Sequence, residues 1–113
     1  MPATPEEIER RRTAGLQAIR AVHGTEEGEY SVDEFIEHHL EELEPAYWLK
    51  HTGSESPDVA RVMDLIELRS HWSADDEEGI DHFDFTLPGD VTDYVISVKF
   101  DEAGAVEEVS MES

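Results

Sequence analysis

A chain of 113 residues without a cysteine is long enough to bury a core unaided, and it excludes disulfide frameworks and thiolate metal sites. Its 29 acids against 8 bases give a formal net charge of −21, a field that repels nucleic acid and anionic lipid and favours basic partners. No apolar run approaches the about 20 residues of a membrane span, and nothing apolar follows the N-terminal arginines as a signal peptide requires. The expectation is one cytoplasmic domain spanning residues 1–113.

The charge is lopsided. Residues 1–24 hold four arginines against three glutamates, so all but three of the 29 acids fall after Gly24 with only four bases among them. Thr4-Pro5-Glu6-Glu7 reads as a capping box, with threonine as N-cap, proline at the first helical position and Glu7 reaching back. Ile8, Arg12, Gly15/Leu16, Ile19 and Val22/His23 mark one face of a helix predicted over 5–23. Gly15 inside it costs about 1 kcal/mol relative to alanine, which points to a close contact there. Arg10, Arg11 and Arg12 on so acidic a chain are expected to pair with its own carboxylates.

Residues 25–30 read as an acidic linker. Ser31-Val32-Asp33-Glu34 is a second capping box, followed by an apolar stripe of Val32, Phe35, Ile36, His39/Leu40, Leu43 and Tyr47. Pro45 is expected to end or kink this helix near Glu44, with Ala46-Tyr47-Trp48-Leu49 as an aromatic anchor beyond it. The opposite face carries Glu34, Glu37, Glu41 and Glu44. Ser56-Pro57-Asp58 repeats the cap-then-proline pattern and opens a third helix to about Leu65, with Val59, Val62, Met63 and Ile66 inward. Ile66, Leu68, Ser70 and Trp72 then alternate as a first strand, and residues 73–79 form a charged turn.

The last third is the best patterned. Phe83, Phe85 and Leu87 point one way and His82, Asp84 and Thr86 the other. Pro88-Gly89 occupies the centre of a predicted type II turn. Tyr94, Ile96, Val98 and Phe100 continue the apolar face, Asp101 to Gly104 form a short bulged hairpin loop, and Val109 and Met111 complete the inward set. Ser97, Lys99, Glu108 and Ser110 join His82, Asp84 and Thr86 on the polar side, where Lys99 is expected to pair with Asp84 or Glu108. The fold class is α+β: about three N-terminal helices packed on one face of a C-terminal three- to four-stranded antiparallel meander.

No motif names a reaction. His38 and His39 stand about 100° apart on a helix and cannot chelate one ion together, and HExxH is absent. Asp75-Asp76-Glu77-Glu78-Gly79 resembles half a calcium loop, but Ala74 and Phe85 fall where the first and twelfth ligands belong. No glycine-framed serine, P-loop or dinucleotide motif is present, so no catalytic residue, metal or cofactor is assigned. Tyr47, Trp48, His71, Trp72 and His82 are the candidate lining of a pocket between helices and sheet.

Phe83–Phe85, Leu87–Gly89, Thr92–Tyr94, Phe100–Gly104 and Ser110–Ser113 together make an ending that resembles small acidic bacterial proteins grouped as domains of unknown function. The Phe100–Gly104 hairpin is also similar to the last hairpin of cone-shaped domains of the nuclear transport factor 2 type, although the interleaved strand of that family is missing. Neither resemblance implies a functional residue. The expected function is a non-enzymatic acidic binding protein that docks a basic partner, in the manner of an immunity-type inhibitor, through Asp75, Asp76, Glu77, Glu78, Asp84 and Glu108. The alternatives are a small-ligand or enzymatic domain using the pocket, and an acidity that reflects only a saline environment.

Overall fold

The computed structural model describes residues 4–72, 81–101 and 103–112. The acidic run Asp75, Asp76, Glu77 and Glu78 lies outside them. Among the described residues, five helical segments precede a four-stranded antiparallel meander whose strands pair in chain order, the α+β arrangement the patterning predicts.

Helix α1, Pro5–Val22, starts as expected: the Thr4 hydroxyl accepts from the Glu7 N–H at 3.1 Å. The reciprocal half of the capping box is not made. Glu7 instead takes Arg10 and Arg11, with Arg10 Nη2 and Arg11 Nε each 2.6 Å from its Oε2, because a charge-assisted pair is stronger than a bond to one backbone N–H. Arg12 pairs with Glu9. The arginines therefore answer the chain's own acids. Arg11 is buried, its guanidinium 5.5 Å from the centroid of Phe100, an arrangement in which the ring face receives the cation.

Residues 25–30 are not a plain linker. Glu26–Glu29 form the single turn α2, capped by Thr25. This turn alters Ser31, which precedes α3, Val32–Glu42: its hydroxyl donates to the Glu27 carbonyl at 3.0 Å and makes no cap bond to α3. The proline at 45 ends α3 and begins α4, Pro45–Thr52, in which it occupies the first turn while Leu43 and Glu44 are extended, as the restricted backbone before proline demands. Helix α5, Val59–Leu65, is capped by Asp58, whose Oδ1 accepts from the Arg61 N–H at 3.0 Å, so the cap lies after Pro57 and not at Ser56.

Strands β1, Glu67–Trp72, β2, His82–Thr86, β3, Val95–Phe100, and β4, Val106–Glu112, follow. Phe83, Phe85, Ile96, Val98, Phe100 and Val109 bury on one face with Ile19, Val32, Phe35, Ile36, Trp48 and Val62 from the helices. Gly15 allows α1 to lie against the sheet: a Cβ there would sit 2.8 Å from the tip of the Phe85 ring. The close contact expected of this glycine is therefore with the sheet. Gly89 has φ +91° at the second central position of the turn after β2, the left-handed geometry a type II turn needs. The thiol-free core is closed by His39, 1% exposed. Its Nδ1 stands 2.6 Å from the Phe35 carbonyl and its Nε2 2.9 Å from the Thr92 hydroxyl, so the neutral ring donates at Nδ1 and accepts at Nε2. Burial lowers its pKa, reinforced by His38 and opposed by the bond to Phe35.

Candidate functional site: the outer face of the sheet

The helices lie against the apolar side of the meander, and the polar side forms a groove of about 570 Å³. Strand register explains its shape. Trp72, His82, Lys99 and Glu108 are aligned across the four strands, and so are Ser70, Asp84, Ser97 and Ser110 in the adjacent row. Side chains of one row stand on the same face as those of the next because strand residues alternate with period two. The first row is tall, aromatic and charged; the second is three serines and one aspartate. Small side chains beside large ones make the depression.

A break in β1 sets the aromatic end of this row. Ile66, Leu68, Ser70 and Trp72 alternate in sequence as one set, but the register shifts between Leu68 and Ser70. Arg69 is the extra residue of a β-bulge, and a bulge reverses which face the following residues take. Leu68 thus packs on the core while Ser70 and Trp72 line the groove. Trp72 is 44% exposed. Its ring stacks on His82 at a centroid separation of 4.1 Å and an interplanar angle of 12°, and its Nε1 donates to Asp84 Oδ2 at 3.0 Å. The first contact is the directly opposed cross-strand pair and the second its diagonal neighbour, so two strands hold the indole in one orientation.

The rest of the face is carboxylate-rich. Asp84, Asp93, Glu108 and Glu112 outnumber Arg69 and Lys99 among the lining residues. Lys99 faces Glu108 in register, yet among the described residues it pairs with Glu107, with Nζ and Oε2 4.0 Å apart, a weak exposed pair beside the second bulge at Lys99/Phe100. Thr86, expected on the open face, is buried with its hydroxyl donating to the Tyr94 carbonyl at 2.9 Å.

The five residues expected to line one pocket separate into three places. Trp48 is 1% exposed within the core. Tyr47 uses its hydroxyl to hold the turn after β2, donating to the Pro88 carbonyl at 2.8 Å, and burial, helped by Glu67, pushes its pKa up to about 12. His71 stacks on Phe83, with 5.1 Å between ring centroids, on the core side of β1. Tyr47 and Trp48 meet edge to face at 5.0 Å on α4, whereas Trp72 and His82 meet on the opposite face of the sheet. The two strands' alternation forces this outcome: adjacent residues 71 and 72 cannot share a face. Of the residues expected to bind a partner, Asp84 and Glu108 belong to the groove. Asp93, Glu112, Arg69 and Ser70 join them in the lining; continuing the Glu108, Ser110 alternation reaches Glu112, whereas nothing in the residue pattern marks the Arg69 bulge.

No three acidic or histidine side chains among the described residues converge in a way that holds a metal ion. Among the described residues, no helix is long and apolar enough to cross a membrane. Compared with protein-family models, curated proteins and solved structures, the chain finds no match.

Proposed function

We propose that this protein is a non-enzymatic binding protein that docks a basic protein partner on the outer face of its sheet, as an immunity-type inhibitor does. The observation that carries the reading is the groove itself: an open, concave sheet face of about 570 Å³ that holds four carboxylates, two bases and an exposed tryptophan. Tryptophan is among the residue types enriched in the energetic anchors of protein interfaces. The net charge of −21 supplies long-range attraction for a cationic surface and accelerates encounter. The two sheet edges argue against strand addition as the docking mode. Each edge strand carries a bulge, and β4 adds Glu107, Glu108 and Glu112, features that discourage edge pairing. That its ending resembles small acidic bacterial proteins belongs to the same proposal and contributes no site residue.

The test is capture from a native lysate on immobilised protein at low and at high salt, followed by purification of the retained protein and titration against the pure chain. A basic protein that binds at 50 mM salt and is released several-fold more readily at 500 mM is the expected result, since steering fields of this kind are screened over about 10 Å at 0.1 M. Recovery of no basic protein under either condition overturns the reading.

A further inference from the structure

We infer that the groove recognises arginine in particular, and that Trp72 and Asp84 together form the seat for a guanidinium on a segment of the partner protein. This inference rests on the docking proposal above and specifies its chemistry.

The geometry at this point differs from a general acidic surface. One face of the Trp72 indole lies on His82, at 4.1 Å and 12°, and 44% of the residue is open to solvent. The indole N–H is already bonded to Asp84 Oδ2 at 3.0 Å. That bond does two things. It fixes the ring before any partner arrives, which reduces the ordering cost of binding. It also places a carboxylate beside the ring edge, adding electron density to a π system that attracts cations. Asp84 engages Oδ2 in this way, and a carboxylate has a second oxygen to offer.

A guanidinium matches these features more completely than an ammonium. It is planar, so it stacks flat on the exposed part of an indole, and its N–H groups radiate in the same plane toward acceptors at the rim. Ser70 is the register partner of Asp84 on β1, the strand that carries Trp72, and its hydroxyl is an acceptor beside the carboxylate. Lys99 is one strand beyond His82 in the tall row and so lies on the far side of the stack from Trp72. The groove volume of about 570 Å³ exceeds what one arginine side chain fills, which favours a chain segment over a free small guanidine.

The experiment is a titration of the full chain, uniformly labelled with nitrogen-15, with three capped pentapeptides at low salt: Gly-Arg-Gly-Arg-Gly and its lysine and citrulline counterparts. The two tryptophans give two indole N–H signals. Trp48, buried and without a hydrogen-bond partner at Nε1, serves as an internal control for the fold. The arginine peptide is expected to shift the Trp72 indole signal saturably and to bind about tenfold more tightly than either counterpart. Trp72→Ala and Asp84→Asn are each expected to abolish that preference while the Trp48 signal stays in place. Equal binding of the arginine and lysine peptides, with shifts at the backbone amides of Asp84 and Glu108 and none at the Trp72 indole, overturns the arginine seat and leaves the docking proposal standing. Absence of any response to either cationic peptide overturns both.

Discussion

The two faces of the sheet are built by the same strands and obey opposite rules. On the inner face Phe83, Phe85, Ile96 and Val98 are fully buried against the helices, and each is held by shape. On the outer face the same strands present His82, Asp84, Ser97 and Lys99, held by one stack and a few polar contacts. Burial of a large apolar side chain contributes about 1.5–3 kcal/mol, whereas exposed cross-strand pairs contribute about 0.2–1 kcal/mol. The inner face therefore determines whether the chain folds, and the outer face is free to be shaped by what it binds.

Substitutions break this comparison in order of size. Phe85→Ala removes a ring packed against Gly15 and is expected to cost about 3–5 kcal/mol, read as a lowered urea midpoint. Gly15→Ala gains helix propensity of about 1 kcal/mol. It also drives a methyl to within 2.8 Å of the Phe85 ring, so a net loss of about 1–2 kcal/mol is expected. Trp72→Ala, on the other face, is expected to change stability by no more than about 1 kcal/mol while removing the binding response. A Trp72→Ala loss as large as that of Phe85→Ala would mean that the outer face is structural.

Acid sharpens the same contrast. His39 has a folded pKa below its ordinary value of 6.5 because it is buried, so the unfolded chain takes up its proton first. Its contribution is complete above pH 6.5 and is lost as pH falls below that value through the depressed folded pKa. Urea midpoints that decline between pH 7.5 and 5, and decline less in His39→Gln, are expected. Glu7 acts in a lower window. Hydrogen bonds from Arg10 and then Arg11 hold its carboxyl down to about 2, so its contribution is present above the ordinary value of 4.5 and is lost as pH falls from there through about 2. Glu7→Gln is expected to flatten only that lower part of the profile.

Much of the inner face was legible in the residue pattern, because alternation and helical stripes report burial directly. Phe83, Phe85, Ile96, Val98 and Phe100 all fall on the side the pattern assigns. The residues that were misread share a cause: a local competitor took the group the pattern had assigned elsewhere. Ser31 bonds back to Glu27, Glu7 turns to arginines, and the Arg69 bulge turns Trp72 from the core side to the open side. A bulge has no composition of its own in this stretch, so the aromatic end of the groove, and its separation from Trp48 and His71, became visible only through strand register.

The most direct measurement of the central claim compares two variants of equal charge change. Asp84→Arg/Glu108→Arg alters the groove, and Glu34→Arg/Glu37→Arg alters the exposed side of α3. Both reduce the net negative charge equally, so long-range attraction weakens alike in the two. Affinity for the purified basic partner is expected to fall at least about tenfold more in the groove variant than in the helix variant, with urea midpoints unchanged in both. Equal losses in the two folded variants would contradict the account, because they would show that only the total charge matters and that no face of the sheet is the docking surface.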